Sequence, residues 1–226
     1  MIKTKKEMIV ISNNNSPSIE SFLERMNECR GNYDVLLVDT HSNNEDYENL
    51  CIEECKKYDF IWKKSDSPDY DFSGIKTAMK YFPREKYWFQ QDTLIPKSSD
   101  CYDKIFKEIK DNTPVSWLGF ERKVSPFDNE DSLQFCLDNF NSSDYDTGIF
   151  GPNFGITRDD VSRIKEIDNL YVTNKIEQSS MERGWAILFK KYNMTPKYME
   201  GILTPDWTTL HDDGYTLFSK KFLHRV

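Results

Sequence analysis

Asp92 stands directly after the apolar run Tyr87-Trp88-Phe89 and two amides, Gln90 and Gln91. A carboxylate in that position suits a divalent cation held against a diphosphate, because such ions take carboxylate oxygens and share phosphate oxygens with a bound nucleotide. The chain lacks the glycine-rich devices that wrap a phosphate in backbone, G-x-G-x-x-G and G-x-x-x-x-G-K-[ST], which disfavours a dinucleotide dehydrogenase or a P-loop NTPase. Without that cradle, a divalent cation held by carboxylates can neutralise a diphosphate. Other polar residues follow apolar runs in the same manner: Ser12 and Asn13 after the first, Asp39 and Ser42 after the second, Ser65 and Asp66 after the third. In an open parallel sheet these are the positions where ligands bind. Strand ends are also simply where polar loops begin, and that reading covers many of the same residues.

The elements that must position them follow from hydrophobic periodicity. Met8 to Ser12, Tyr33 to Val38, Phe60 to Trp62 and Tyr87 to Phe89 read as four short buried strands. Helical spacing fills the gaps, with Ile19, Phe22, Leu23 and Met26 on one face, a second helix through Tyr58 and a third from Phe72 to Phe82 that stops at Pro83. Strands alternating with helices predict an α/β fold with a mostly parallel, Rossmann-type central sheet flanked by helices, in one domain. Beyond it the spacing predicts a helix from about Ser99 to Lys110, a strand from Val115 to Phe120, a polar excursion from Ser125 to Asp146, and a Gly-punctuated strand from about Thr147 to Thr157. A helix from about Asp159 follows, then a long one from Asn174 to Tyr192 with Ile176, Met181, Trp185, Leu188 and Phe189 as its buried stripe. Residues from about 1 to 97 read as a nucleotide-type half and from about 98 to 226 as a substrate-type half.

The formal charge is −8 and aromatic residues make up 14%. An acidic chain lacks the broad electrostatic footprint of a nucleic-acid binder, so no nucleic-acid partner is expected. No run approaches the length of a membrane span and the start lacks a signal-peptide pattern, so a cytoplasmic protein is expected. Five scattered cysteines without a C-x-x-C pair read as reduced, partly buried thiols. The segment Lys220-Lys221-Phe222-Leu223-His224-Arg225 is basic and part-apolar, a candidate for peripheral contact with an anionic membrane beside the plainer reading of a solvated tail.

The segment Tyr87 to Lys97 resembles the strand and acidic motif of GT-A type glycosyltransferases, in particular small bacterial and large-virus members with a Gln-x-Asp version of the usual Asp-x-Asp. The resemblance implies that Asp92 ligates the metal, Mn²⁺ or Mg²⁺, and that Gln90 and Gln91 line the donor; Gln90 departs from the family's first Asp. Val38 to Ser42 is similar to the second-strand motif whose Asp, here Asp39, accepts a hydrogen bond from the base. Asp71 to Ala78 resembles the helix start beside the nucleotide, with Gly74 permitting close approach and Lys76 a candidate for phosphate.

Gly151 to Arg158 looks like the acceptor-side strand, and a bulged core strand is the competing reading. Ser179 to Ala186 is similar to the helix carrying the catalytic carboxylate, which makes Glu182 the candidate base and Glu177 its substitute. An acceptor hydroxyl needs a base to share its proton, which is the reason to want a carboxylate there; a surface charge or an ion pair with Arg183 is the plainer alternative. A late His completes the metal shell in several such families, which points to His211, with Asp213 as substitute; Asp-Gly at this position also reads as a turn. Trp207 and Tyr215 are candidates for stacking on an acceptor sugar.

The function expected is divalent-metal-dependent transfer of a sugar from a nucleoside diphosphate sugar to a hydroxyl of a glycan or glycoconjugate. Two alternatives stay open: sugar-phosphate nucleotidyl transfer, which wants a basic glycine-rich first loop in place of Asn13-Asn14-Asn15-Ser16-Pro17, and a non-catalytic carbohydrate-binding or assembly protein on the same fold.

Overall fold

The computed structural model describes residues 5–40, 42–123, 130–151, 153–203 and 215–220. Its parallel half consists of β1 (Glu7–Asn13), β2 (Asp34–Asp39), β3 (Ile61–Lys64) and β4 (Lys86–Gln91), joined through α1 (Ile19–Cys29), α2 (Glu45–Lys57) and α3 (Phe72–Tyr81). There follow β5 (Leu94–Pro96), α4 (Cys101–Glu108), β6 (Val115–Ser116), β7 (Gly119–Glu121), α5 (Glu130–Phe140), β8 (Thr147–Ile149) and β9 (Phe154–Thr157). The chain continues through α6 (Arg158–Arg163), α7 (Lys175–Lys191), β10 (Lys197–Tyr198), β11 (Ile202–Leu203) and β12 (Phe218–Lys220). The central sheet has seven strands in the order β10-β6-β9-β4-β1-β2-β3, and all its pairings are parallel except the two made by β9. This is the mixed α/β architecture with a mostly parallel sheet flanked by helices that the alternation of patterns predicts.

The strands are apolar throughout because both faces are covered. Met8, Val10, Leu36, Val38, Tyr87 and Phe89 point to one side, where they meet Ile75 and Ala78 of α3 and Trp185 and Phe189 of α7. Ile9, Ile11, Val35, Leu37 and Trp88 point to the other, against Phe22 and Met26 of α1, Cys51 and Cys55 of α2, and Ile105 of α4. Each such side chain removed from water is worth about 1.5–3 kcal/mol, so a one-residue slip in any of these strands would forfeit its packing on both faces.

The second half departs from the expected elements in three places. The expected strand Val115 to Phe120 divides at Trp117, with β6 in the central sheet and β7 in a three-stranded sheet of order β11-β7-β8. The expected strand Thr147 to Thr157 likewise divides between β8 and β9, because Gly151 turns the chain with φ at 62°. The supposed polar excursion contains α5, which buries Ser132, Phe135, Cys136 and Phe140 beside α7. On α7 itself Ile176 is 41% exposed, while Met181, Trp185, Leu188 and Phe189 are buried as expected.

Near its end the chain returns to the parallel half. β12 pairs antiparallel with β5, directly after the Asp92 turn, and Phe218 stacks on Trp88 with ring centroids 5.7 Å apart. Glu200 holds this return by accepting hydrogen bonds from Leu217 N at 2.7 Å and Trp117 Nε1 at 2.6 Å.

Candidate active site

The parallel register brings the strand tips together: Asn13 stands opposite Asp39, and Ser12 opposite Gln91. Ser12, Asn13, Asp39, Ser42 and Asp92 are all buried, so a polar cluster lies beneath the loops at the carboxyl edge of the sheet. Buried polar groups are costly unless they are hydrogen-bonded, and here they bond one another. The Asn13 carbonyl accepts from Thr40 N at 2.9 Å and Thr40 Oγ1 at 3.0 Å, while its side-chain oxygen accepts from the Tyr47 hydroxyl at 2.8 Å. Asp39 Oδ1 accepts from Ser42 N at 2.7 Å, forming the turn that leads to Asn44, the N-cap of α2. Asp92 is tied to the tip of β1 from both directions: its N–H donates to Ser12 O at 3.2 Å, and its Oδ2 faces Asn14 N at 3.4 Å.

Cys51 lies beneath this cluster, with Asn13 Nδ2 3.7 Å from its sulfur. Burial, with the charges of Asp39 and Asp92 adding to it, pushes its thiol up to about 11. Burial raises the Tyr47 hydroxyl as well, and both groups are neutral at physiological pH.

A second cluster begins one residue earlier on β4. Gln91 N donates to Asn153 Oδ1 at 3.1 Å and its side-chain amide donates to Asp71 Oδ2 at 2.7 Å. The same Asp71 oxygen also accepts from Gln178 Nε2 of α7. One turn further along α7, Glu182 Oε1 accepts from Gly151 N at 3.0 Å, and its Oε2 lies 3.8 Å from Arg183 Nη1, beyond hydrogen-bond distance. Asp71, Gln178 and Glu182 share the rim of a cavity whose walls are Phe72, Ile75, Val172, Met181 and Trp185. Adjacent residues of one strand tip, Gln91 and Asp92, therefore connect a buried carboxylate cluster with a half-buried one.

Several expected site residues are placed otherwise. Gln90 does not face this region: β4 alternates, and Gln90 falls on the Trp88 side, 1% exposed in the core. Its Oε1 accepts from Trp88 Nε1 at 2.9 Å and the Tyr102 hydroxyl at 2.8 Å, and its amide donates to Leu94 O at 3.0 Å. The Lys76 ammonium is paired with Asp69 at 2.9 Å, bonds Leu170 O, and lies over the Tyr171 ring at 4.3 Å, and none of these partners belongs to either cluster. Gly74 does permit a close approach, but to Ser12, whose Oγ would lie 2.3 Å from a Cβ there; Ser12 Oγ itself donates to Asp71 O at 3.0 Å. Glu177 accepts from Thr173 N at 2.6 Å, just before the N-cap of α7, and its own N–H donates to Asn174 Oδ1 of that cap at 3.0 Å. Gly155 is packed in the core, where a Cβ would meet Ile109 Cδ1 at 2.4 Å, and Tyr215 lies edge-on to Trp117 with centroids 5.2 Å apart. Trp207, His211, Asp213 and the residues from Lys221 to Arg225 lie outside the described residues.

Sequence reasoning included Asp71 and Asn153 only as members of the helix-start and acceptor-side segments, and missed Gln178 and Tyr47. Gln178 carried a usable signal, since it stands four residues before Glu182 on the same helix face. Among the described residues no three His, Cys, Asp or Glu side chains group as ligands for one metal ion, and no helix is long and apolar enough to cross a membrane.

No known family profile matches the chain, and no curated protein sequence matches it. Its fold is similar to that of a mannosyltransferase from Pyrobaculum calidifontis, solved in complex with GDP-Man and Mn²⁺, with a TM-score of 0.58 at 11% identity over 90% of this chain and 57% of that one. Weaker likenesses are S. aureus TarS 1–349 (TM-score 0.47, 12% identity, 80% of this chain and 56% of that one) and a putative protein from Aquifex aeolicus VF5 (0.48, 10%, 90% and 88%). The chain spans little more than half the length of the first two structures. The first likeness speaks for the fold alone.

Proposed function

We propose that this chain is a glycosyltransferase of GT-A type that moves a sugar from a nucleoside diphosphate sugar to a hydroxyl of a glycan or glycoconjugate. The observation that carries this reading is the tip of β4, where Asp92 and Gln91 connect the polar cluster of the donor half to the cavity under Glu182. In this reading the two halves form one domain, with donor residues before about residue 98 and acceptor residues after it.

The donor set suits a hard cation in one respect. Asp92 supplies a buried carboxylate at the carboxyl edge of the sheet, with Asn14 N 3.4 Å from its Oδ2. Mg²⁺ and its like are commonly held by one or two carboxylates, with substrate phosphates and water completing the shell, so a single protein carboxylate is compatible with such an ion. Asp92 would hold Mn²⁺ or Mg²⁺, which when bound stabilises the charge developing on the departing diphosphate.

The remaining roles fall to the chain's own groups. Asn13, Asp39 and Ser42 shape the nucleoside end, and Gln91 and Asp71 orient the transferred sugar. Glu182 accepts the proton of the acceptor hydroxyl as its oxygen bonds the anomeric carbon and the bond to diphosphate breaks, provided the reaction inverts. The Gly151 N–H fixes one Glu182 oxygen and thereby aims the other.

The test is Mn²⁺-dependent hydrolysis and binding of a sugar-nucleotide panel by the parent and by Asp92→Asn. A loss of at least about tenfold in donor affinity (about 1.4 kcal/mol) supports the reading, and unchanged metal-dependent hydrolysis refutes it. Absence of any sugar-nucleotide binding favours a carbohydrate-binding or assembly protein, and pyrophosphate release from a nucleoside triphosphate with a sugar phosphate favours nucleotidyl transfer.

A further inference from the structure

The cavity beneath Glu182 has walls and a rim of opposite character. Its walls are aliphatic and aromatic side chains of α3 and α7 together with Val172, and its free space, about 10 Å³, admits one water-sized group. A buried water needs two to four polar partners, and the lining surface of this cavity is mostly apolar. A methyl group matches such a space, since an apolar pocket gains from each carbon it covers. The rim presents acceptors: Asp71 and Glu182 are carboxylates, and the Gln178 side-chain oxygen already receives Lys175 Nζ at 2.7 Å while its amide is turned to Asp71. An occupant must therefore bring a methyl group with a hydrogen-bond donor beside it. A planar trans amide does this, because the N–H of an acetamido group lies on the same side of the C–N bond as its methyl. In a 6-deoxy sugar the nearest donor, the C4 hydroxyl, is one bond further from the methyl and is not held coplanar with it, and an unmodified hexose has donors without the methyl.

We infer that this cavity is a subsite for the acetamido group of a 2-acetamido sugar, with its N–H on a rim carboxylate and its methyl against Val172, Met181 and Trp185. The inference rests on the transferase reading and narrows its substrate class. The acetamido group belongs either to the transferred sugar or to the accepting one, and the two arms of the experiment separate these sources.

Calorimetry with Mn²⁺ present compares methyl N-acetylglucosaminide with methyl glucoside, and UDP-N-acetylglucosamine with UDP-glucose, with UDP and GDP alone as reference titrations. In one of the pairs the acetamido member binds about tenfold tighter or more, the range expected for a methyl group in a fitted apolar pocket. Val172→Phe fills the cavity and brings the pair to near-equal affinity while the plain hexose member keeps its own. Should that variant fail to fold, Met181→Ala enlarges the space and shifts the preference from N-acetyl toward N-propionyl. Near-equal binding in both pairs of the parent, with UDP or GDP still bound, overturns the subsite and leaves the transferase reading standing. A preference confined to methyl fucoside over methyl galactoside overturns the acetamido assignment, and no binding of either nucleotide overturns both readings.

Discussion

Restoring the Asp-x-Asp spelling by Gln90→Asp is expected to weaken the protein without strengthening metal binding. Gln90 is buried on the Trp88 face, with both ends of its amide in use: the oxygen accepts from Trp88 Nε1 and the Tyr102 hydroxyl, and the nitrogen donates to Leu94 O. Aspartate is one methylene shorter and carries no donor. It leaves the Leu94 carbonyl unsatisfied, at about 1–3 kcal/mol, and weakens two further bonds worth about 1 kcal/mol each. A loss of roughly 3–4 kcal/mol corresponds to a fall of roughly 6–16 °C in Tm for a chain of this size, measurable by calorimetric or urea unfolding. Gln90→Glu supplies the control. It keeps the length and the acceptor but sets a carboxyl oxygen toward Leu94 O, where only the protonated form is welcome. Its folded-state pKa is thus raised above the unfolded value of about 4.3. The folded state then holds a proton that the unfolded state has released, so stability relative to the parent is greatest at low pH. It falls as pH rises through that raised value. A Gln90→Asp protein as stable as the parent and tighter for Mn²⁺ would refute the reasoning, because it would mean that this side chain turns toward the cation.

Glu182→Gln is expected to lower turnover by about 10²–10⁴-fold while the calorimetric donor Kd stays unchanged; equal turnover would remove Glu182 as the base. Gly155→Ala places a Cβ 2.4 Å from Ile109 Cδ1 and 3.1 Å from Trp88 Cε3, and overpacking of this kind costs about 1–3 kcal/mol in urea unfolding. All five cysteines are buried, and burial pushes Cys51 up to about 11 and Cys55 up to about 12. Alkylation of the native protein at pH 8 should therefore be slow at every thiol and complete only after denaturation. Rapid native labelling of Cys51 would show that the floor of the Asn13 cluster opens to solvent.

The parallel half was legible because strands covered on both faces read as unbroken apolar runs, from Met8 to Ile11 and from Val35 to Val38. Helix α5 was not, since one of its four buried positions is Ser132, whose hydroxyl meets that of Ser180 at 2.7 Å and hides the helical period. Strands β6 to β11 are two to four residues long, too short for any period to register. In the motif segment, Asp92 stands at the tip of β4 as the apolar run implies, whereas Gln90 faces the core, which alternation from Trp88 already gives. The partners of Asp71 were beyond the sequence, because the amides that engage it come from β4 and α7, and no local pattern joins these to the start of α3.

The pairing of β12 with β5 has a consequence for biosynthesis. Residues 218–220 lie beneath the stretch that follows Asp92, about half the chain later, and Phe218 completes the aromatic packing around Trp88. Contacts so distant in sequence form late. A nascent polypeptide released only as far as α7 has the four parallel strands but lacks the segment that pairs with β5 beside the Asp92 turn, so this pairing has to wait until translation has passed residue 220.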